Sequence, residues 1–238
     1  MKPFKPHLEV LPEVLQWLYP QLQDLKGLGF VLYGRTGLAL QLGHRQSLDF
    51  EFFSHDPLDR KLLREAMPLL DETSLVALLQ NHDNRQIFEI PHPQLNNRSV
   101  KISFFGGIDF GRVGEPRLTD DGVLLVASSL DLFAVKLKEI IQRPTPDDYV
   151  DIVYLIKNGE SLLEALGGAS VLFGTDFSPM ISLRALSYFD DLEPPLSRSD
   201  ASFLVQQVSN ALISLNNKEL DPLPLVSENL TSNEAINL

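Results

Sequence analysis

Ser47, Asp49 and Glu51 occupy every second position of a short segment whose other residues are apolar. Residues two apart in a β-strand share a face, so a strand over 47–53 places a hydroxyl and two carboxylates on one side. Adjacent carboxylates repel each other unless a cation lies between them, and a divalent metal ion is the usual cation. The spacing therefore predicts a metal site. The alternative is an ordinary half-exposed strand with a polar outer face.

A second motif precedes this strand in the turn Gly34-Arg35-Thr36. Backbone amides at the start of a helix attract anions, and glycine allows a phosphate to approach the chain closely. The turn follows an apolar strand at 27–34 and opens a helix over 36–43, for which Thr36 is the expected N-cap. The motif predicts a phosphate-binding turn, although many strand–glycine–helix connections bind nothing.

Lys136 lies at the margin of the apolar face of a predicted helix over 130–142. It either extends along apolar surface to reach water or points into a cleft. Asp148 and Asp151 are three residues apart and share a face of the next helix. Acids in a first helical turn can simply offset the helix dipole, which accounts for Asp148. Asp151 comes later and needs a partner, for which Lys136 and Arg143 are candidates.

The remaining periodicity predicts an α+β fold: a mixed sheet with helices, followed by a helical C-terminal half. Further strands are expected at 75–80, 86–90, 98–105 and 122–127. Further helices are expected from Asp56, with Asp56 as cap and Pro57 in the first position, and at 147–157, 160–167, 178–190 and 199–215.

The same change of pattern predicts the domain organisation. An α/β domain is expected over 1–128, a helical domain over 129–215 and a mobile tail over 216–238. The tail is assigned because its sequence has little apolar periodicity.

Composition narrows the chemistry further. The 238 residues include no cysteine, which excludes disulfides and thiolate chemistry. The formal net charge of −12 disfavours broad, non-specific nucleic-acid binding, which needs many cations. No apolar run is long enough to cross a bilayer, and the first ten residues lack the apolar core of a signal peptide. We therefore expect a cytoplasmic protein with no membrane partner.

Four segments together resemble one known family. They are GRTGLAL at 34–40, HRQSLDFEFF at 44–53, DLFAVK at 131–136 and RPTPDDYVDI at 143–152. In this order they are similar to the AbiEii/AbiGii-type nucleotidyltransferases, toxin-like proteins of the DNA polymerase beta-like superfamily. RALSYFDDLE at 184–193 also resembles the C-terminal segment of that family.

The resemblance implies a nucleotidyltransferase-like fold and metal-dependent transfer of a nucleotidyl group from an NTP to an acceptor. The acceptor is open: RNA, protein or a small molecule. An antitoxin protein is a possible partner. Mg²⁺ or Mn²⁺ is the implied cofactor, because in-line displacement at phosphorus needs a cation on the attacking and leaving oxygens.

The resemblance also implies roles for individual residues. Asp49 and Glu51 correspond to metal ligands, and Asp148 or Asp151 would complete the site. The implied nucleotide-binding residues are Gly34, Arg35, Thr36, Ser47 and Lys136, of which Lys136 would neutralise phosphate charge.

The chain departs from the family pattern at three of these places. Arg35 stands where the family has a second glycine, Glu51 replaces an aspartate, and Asp147 replaces a common arginine. Ser103 occupies the position expected for a third strand carboxylate of the superfamily. These departures leave two alternatives beside an active enzyme: a relative that binds nucleotide or a protein without turnover, and an unrelated α+β protein with a solvated polar strand.

Overall fold

The computed structural model describes residues 3–72, 76–95, 98–217 and 223–231, without the side chains of residues 72 and 217. The chain divides into two compact units. The first unit contains residues 1–111, 115–128 and 227–238, and the second contains residues 112–114 and 129–226.

The first unit is built on a mixed sheet whose described strands have the order β3-β4-β5-β2-β1-β7-β6. β2 lies near the middle, antiparallel to β1 and parallel to β5. The strands are β1 (Val31–Tyr33), β2 (Asp49–Phe53), β3 (Ala77–His82), β4 (Arg85–Pro91), β5 (Ser99–Phe105), β6 (Arg117–Leu118) and β7 (Leu125–Val126).

The sheet has one strongly apolar face. Phe50 and Phe52 of β2 are buried on it beside Phe104 of β5, and the rings of Phe52 and Phe104 stack at 5.7 Å. Leucines of the N-terminal helical segment complete this core, which includes Leu18 and Leu22. Burial of these aromatic and leucine side chains fixes which face of β2 points inwards.

The helices of the first unit are short. They are α1 (Glu13–Leu18), α2 (Gly34–Leu42), α3 (Arg60–Ala66) and α4 (Leu69–Glu72), with 3₁₀ segments at Leu8–Val10 and Tyr19–Leu28. The predicted cap at Asp56 is wrong: α3 begins after Asp59, whose carboxylate accepts hydrogen bonds from the amides of Lys61 and Leu62.

The second unit consists of helices α5 (Ser129–Gln142), α6 (Pro146–Lys157), α7 (Leu162–Phe173), α8 (Pro179–Ala185) and α9 (Arg198–Asn217). Phe133, Leu137 and Ile140 of α5 are buried in it. Asp131 of α5 is buried as well, and it accepts hydrogen bonds from the amides of Val113 and Gly114. These bonds attach residues 112–114 to the helical unit.

The architecture confirms the predicted α+β fold, with differences at element ends. The helix predicted over 160–167 runs to Phe173, and the one predicted over 178–190 ends at Ala185. The predicted strand over 75–80 begins in residues outside the described part of the chain. Of the predicted tail, 218–222 and 232–238 also lie outside it. Among the described residues, every helix is too short or too polar to span a bilayer.

Candidate active site

Asp49 and Glu51 lie on β2 with one residue between them, opposite Lys101 and Ser103 of β5. Alternation along the strand places their side chains on the face away from the apolar core. Asp49 is 8% exposed and Glu51 is half-buried. The structure therefore brings the two predicted carboxylates to one face.

The predicted strand over 47–53 is two residues too long. Pairing begins at Asp49, so Ser47 and Leu48 precede β2 and do not continue its alternation. Leu48, expected on the apolar face, is 70% exposed. Hydrophobicity alone could not reveal where the ladder of hydrogen bonds begins.

Thr36 and Ser47 connect α2 to β2. Thr36 Oγ1 donates a hydrogen bond to the backbone carbonyl of Asp49, and it lies 2.6 Å from Ser47 Oγ. A threonine hydroxyl has one proton, so Ser47 is the donor in the second bond. Both hydroxyls are buried and position the start of β2. The predicted N-cap role of Thr36 is wrong, because α2 begins at Gly34 with Tyr33 before it.

Gly34 joins β1 to α2 with a φ of +68°, a conformation that favours glycine. Tyr33 pairs with Glu51 across the two strands, so the turn lies next to the Glu51 side chain. A Cβ added at Gly34 would overlap Glu51 Oε2. We call this space beside the Gly34 α-carbon the Gly34 cradle. In the structure the carboxylate of Glu51 lies in it.

Arg35 follows in the first turn of α2, and its guanidinium Nη2 lies 3.7 Å from Asp49 Oδ2. The Arg35 side chain is 42% exposed, so water screens much of this attraction. The Arg35–Asp49 ion pair is therefore weak.

The donor set is compatible with a divalent metal that also binds a substrate. Among the described residues, no three acidic or histidine side chains form a cluster that could hold a metal ion. Ser103, opposite Glu51 on β5, is neutral and buried. Mg²⁺ commonly uses one or two carboxylates and takes its other ligands from water and phosphate. Asp49 and Glu51 fit that pattern.

Lys136, predicted to contact phosphate, is 3% exposed within the second unit. Its Nζ lies 2.6 Å from Asp148 Oδ1, 2.9 Å from Glu139 Oε2 and 3.6 Å from Asp151 Oδ2. We call these four residues the lysine cluster. Three carboxyl groups therefore surround one ammonium.

The lysine cluster is held by α5 and α6 together. Asp148 Oδ2 also accepts hydrogen bonds from the backbone amide and the hydroxyl of Thr145, at 3.2 and 2.7 Å. Burial alone would lower the pKa of Lys136, but Glu139, Asp148 and Asp151 outweigh burial and raise that pKa above its ordinary value. The ammonium is therefore charged at neutral pH.

The pairing of Asp151 with Lys136 was one of two candidates from the sequence, and the other, Arg143, is exposed. Glu139 was missed. Its spacing of three residues from Lys136 on one helix was the signal that could have indicated it. Lys136 neither extends to water nor stands free in a cleft, because its charge is satisfied by neighbouring carboxylates.

The chain matches known proteins along most of its length. The family model described as the nucleotidyl transferase AbiEii toxin of type IV toxin–antitoxin systems matches residues 21–200. An uncharacterized protein of Aquifex aeolicus is 29% identical over 166 residues, which is 68% of this chain and 74% of that protein.

Two solved structures share the fold. A candidate nucleotidyltransferase from H. pylori has a TM-score of 0.58 at 17% identity, covering 89% of this chain and 95% of its own. MenT4, a nucleotidyltransferase toxin from Mycobacterium tuberculosis, has a TM-score of 0.52 at 15% identity, covering 78% and 84%. The strand carrying Asp49 and Glu51, the Gly34 turn and the lysine cluster all lie within the matched residues 21–200. The chain belongs to the AbiEii nucleotidyltransferase toxin family.

Proposed function

We propose that the protein is a metal-dependent nucleotidyltransferase that moves a nucleotidyl group from an NTP to an acceptor. One observation carries the proposal: Asp49 and Glu51 share the polar face of β2 beside the glycine turn that opens α2. In this assignment the two carboxylates bind Mg²⁺ or Mn²⁺, and Gly34 gives the triphosphate access to the backbone.

The bound metal would supply charge neutralisation at the reacting phosphate. The chain's own residues do the positioning. Thr36 donates a hydrogen bond to the backbone carbonyl of Asp49, and Ser47 supports the Thr36 hydroxyl through a second hydrogen bond. Arg35 is half-exposed next to Asp49 and can reach an incoming phosphate, which arginine binds well.

The lysine cluster has a more limited role in this proposal. Lys136 is charged, but three carboxylates already neutralise it. Its predicted contact with phosphate, and the predicted catalytic roles of Asp148 and Asp151, therefore remain predictions. The geometry of the cluster supports a structural role in the helical unit.

The family description supports two further assignments. It names a toxin of a toxin–antitoxin system, and MenT4 is called a nucleotidyltransferase toxin. We infer that the physiological partner is an antitoxin protein and that the acceptor is a macromolecule or small molecule with a free hydroxyl or phosphate group. RNA, protein and small hydroxyl compounds are the classes to be compared.

A second candidate function is nucleotide or protein binding without turnover. Two observations favour it: Arg35 pairs with Asp49, and the Glu51 carboxylate lies in the Gly34 cradle. In each contact, a charged side chain of this protein occupies a position that the proposed reaction requires for a metal ion or a phosphate group.

Labelled NTPs separate the two functions. The purified protein is incubated with each α-labelled NTP, Mg²⁺ or Mn²⁺, and RNA, protein or small-molecule acceptors. We expect a labelled product that EDTA abolishes. Asp49→Asn should lower the rate about 100-fold or more, the size expected when a group that stabilises transition-state charge is lost.

Asp24→Asn is the matched control, because Asp24 is an exposed carboxylate of the same unit. It should label the acceptor at the wild-type rate. Metal-dependent binding of NTP without any labelled product would favour the second function. No binding of NTP, with or without metal, would contradict both.

A further inference from the structure

We propose that Glu51 acts as an internal anion that occupies the phosphate position of its own active site. The inference rests on the proposed function, since it concerns the same Gly34 cradle. It adds a regulatory property: the site is closed to phosphate until the Glu51 side chain leaves the cradle.

The first observation is the position of the Glu51 carboxylate in the Gly34 cradle. Gly34 has a positive φ, and the space that its missing Cβ leaves is filled by Glu51 Oε2. The Cδ of the same carboxyl group would lie 3.3 Å from that Cβ. The position that would let a phosphate oxygen approach the backbone therefore already holds a carboxylate oxygen.

The second observation is the length of the Glu51 side chain. Register fixes the backbone of Glu51 opposite Tyr33, the residue before Gly34. From that backbone position, an aspartate carboxylate would be shorter by one carbon–carbon bond, about 1.5 Å. Glu51 reaches Gly34 through its additional methylene group.

The third argument is the repulsion between the Glu51 carboxylate and a bound triphosphate. A triphosphate and the Glu51 carboxylate are both anionic, so they cannot share the cradle without strong repulsion. Glu51 is the strand acid whose carboxylate lies in the cradle, so it is the one that competes directly with phosphate.

Binding of inorganic triphosphate without divalent metal tests the proposal. Isothermal titration calorimetry in EDTA compares the wild type with Glu51→Asp, Glu51→Ala and Asp49→Asn. We expect Glu51→Asp and Glu51→Ala to bind triphosphate about tenfold more tightly than the wild type, a difference of about 1.4 kcal/mol. Asp49→Asn removes the same charge from the same strand face and should gain less than either.

Glu51→Asp is the decisive variant because it keeps the charge and shortens the side chain. If repulsion by net charge were the whole effect, this variant would bind triphosphate like the wild type, and that result would overturn the proposal. Adding Gly34→Ala to Glu51→Asp should cancel the gain, since a methyl group then fills the cradle. Retention of the gain in the double variant would also overturn it.

The outcomes separate this inference from the proposed function. Tighter triphosphate binding by Glu51→Asp, with no labelled product from any NTP, supports the internal anion and contradicts the transferase. Labelled product from the wild type, with unchanged triphosphate affinity in Glu51→Asp, supports the transferase and contradicts the internal anion. Absence of triphosphate binding in every variant overturns the internal anion.

Discussion

At the scale of single residues, Asp49 and Lys136 differ in how firmly their charges are paired. Asp49 Oδ2 lies 3.7 Å from Nη2 of Arg35, whose side chain is half-exposed. Lys136 has carboxylates at 2.6 and 2.9 Å and is almost fully buried. A loosely paired carboxylate can take a new cation, whereas a buried, tightly paired ammonium cannot leave its partners without a large cost.

Replacing Lys136 should destabilise the protein. Lys136→Ala leaves Asp148 and Asp151 buried without their shared cation. Loss of one partner from a buried ion pair costs about 3–5 kcal/mol of unfolding free energy. We expect a loss of that size in urea denaturation monitored by circular dichroism.

Lys138 on the same helix is the matched control. It is half-exposed, and its ammonium contacts the backbone carbonyl of Asp176. Lys138→Ala should change the unfolding free energy by about 1 kcal/mol or less. Wild-type stability of Lys136→Ala, together with lost triphosphate binding, would contradict the structural role and assign Lys136 to phosphate.

At this scale the sequence predicted which acids share a strand face and that Asp151 needs a partner. It could not predict that the Glu51 carboxylate lies against Gly34, because that contact depends on the register of two strands. Nor did it predict the hydrogen bond from Thr36 to Asp49, since 13 residues separate them.

At the scale of secondary-structure elements, α2 and β2 are joined by buried hydroxyl groups. Thr36 lies in the first turn of α2, and its hydroxyl bonds the backbone at the start of β2. Ser47 extends this connection from the loop between them. The strand that carries both acids is thus fixed at its first residue.

Removing the Thr36 hydroxyl should loosen this connection. Thr36→Val has nearly the same shape but cannot donate to the Asp49 carbonyl or accept from Ser47. A buried group left without its hydrogen bond costs about 1–3 kcal/mol. We expect a loss of unfolding free energy in that range, measured by urea denaturation.

Thr36→Ser keeps the hydroxyl and loses a methyl group, so it should retain most of the stability. A larger loss in the serine variant than in the valine variant would show that packing of the methyl group, and not hydrogen bonding, holds α2 to β2.

Element types followed from the sequence more reliably than element ends. Helical periodicity located α5, α6 and α9 within a few residues, because each buries apolar side chains at helical spacing. The predicted start of α2 was wrong by two residues. The helix begins at Gly34, which has a positive φ, and not after the predicted cap Thr36. The two-residue strand β6 was missed because so short a strand has no detectable alternation.

At the scale of the whole molecule, net charge limits which partners can bind without specificity. The chain carries a formal charge of −12. Its α3 surface has a concavity of about 620 Å³ lined in part by Arg60, Lys61 and Arg64. Each of these cations lies within 4 Å of a carboxylate, so the local positive charge is largely offset.

Random single-stranded RNA should therefore bind weakly. Because the net charge is −12 and the cations beside the α3 concavity face carboxylates, we expect a Kd of about 10⁻⁴ M or weaker at near-physiological salt. Fluorescence anisotropy with a labelled random 20-mer measures it. A micromolar Kd with steep salt dependence would contradict this expectation, and Arg64→Ala would then show whether the α3 concavity is responsible.

The resemblance to the family rests on several short motifs taken together. Some require a particular backbone conformation, and others require a charged side chain. Glycine in the turn, alternating acids on β2 and a lysine on α5 are each common alone. Their order along the chain gave the resemblance, and the match over residues 21–200 confirms it.

The link between Thr231 and Gly29 has a consequence for how the protein is made. Thr231 Oγ1 donates a hydrogen bond to the Gly29 carbonyl across 202 positions, and residues from 227 onwards are counted with the first unit. A ribosome must finish the entire helical unit before that bond can form. The first unit of a nascent chain therefore lacks this C-terminal hydrogen bond until translation has passed Thr231, long after its last described strand, β7, has been made.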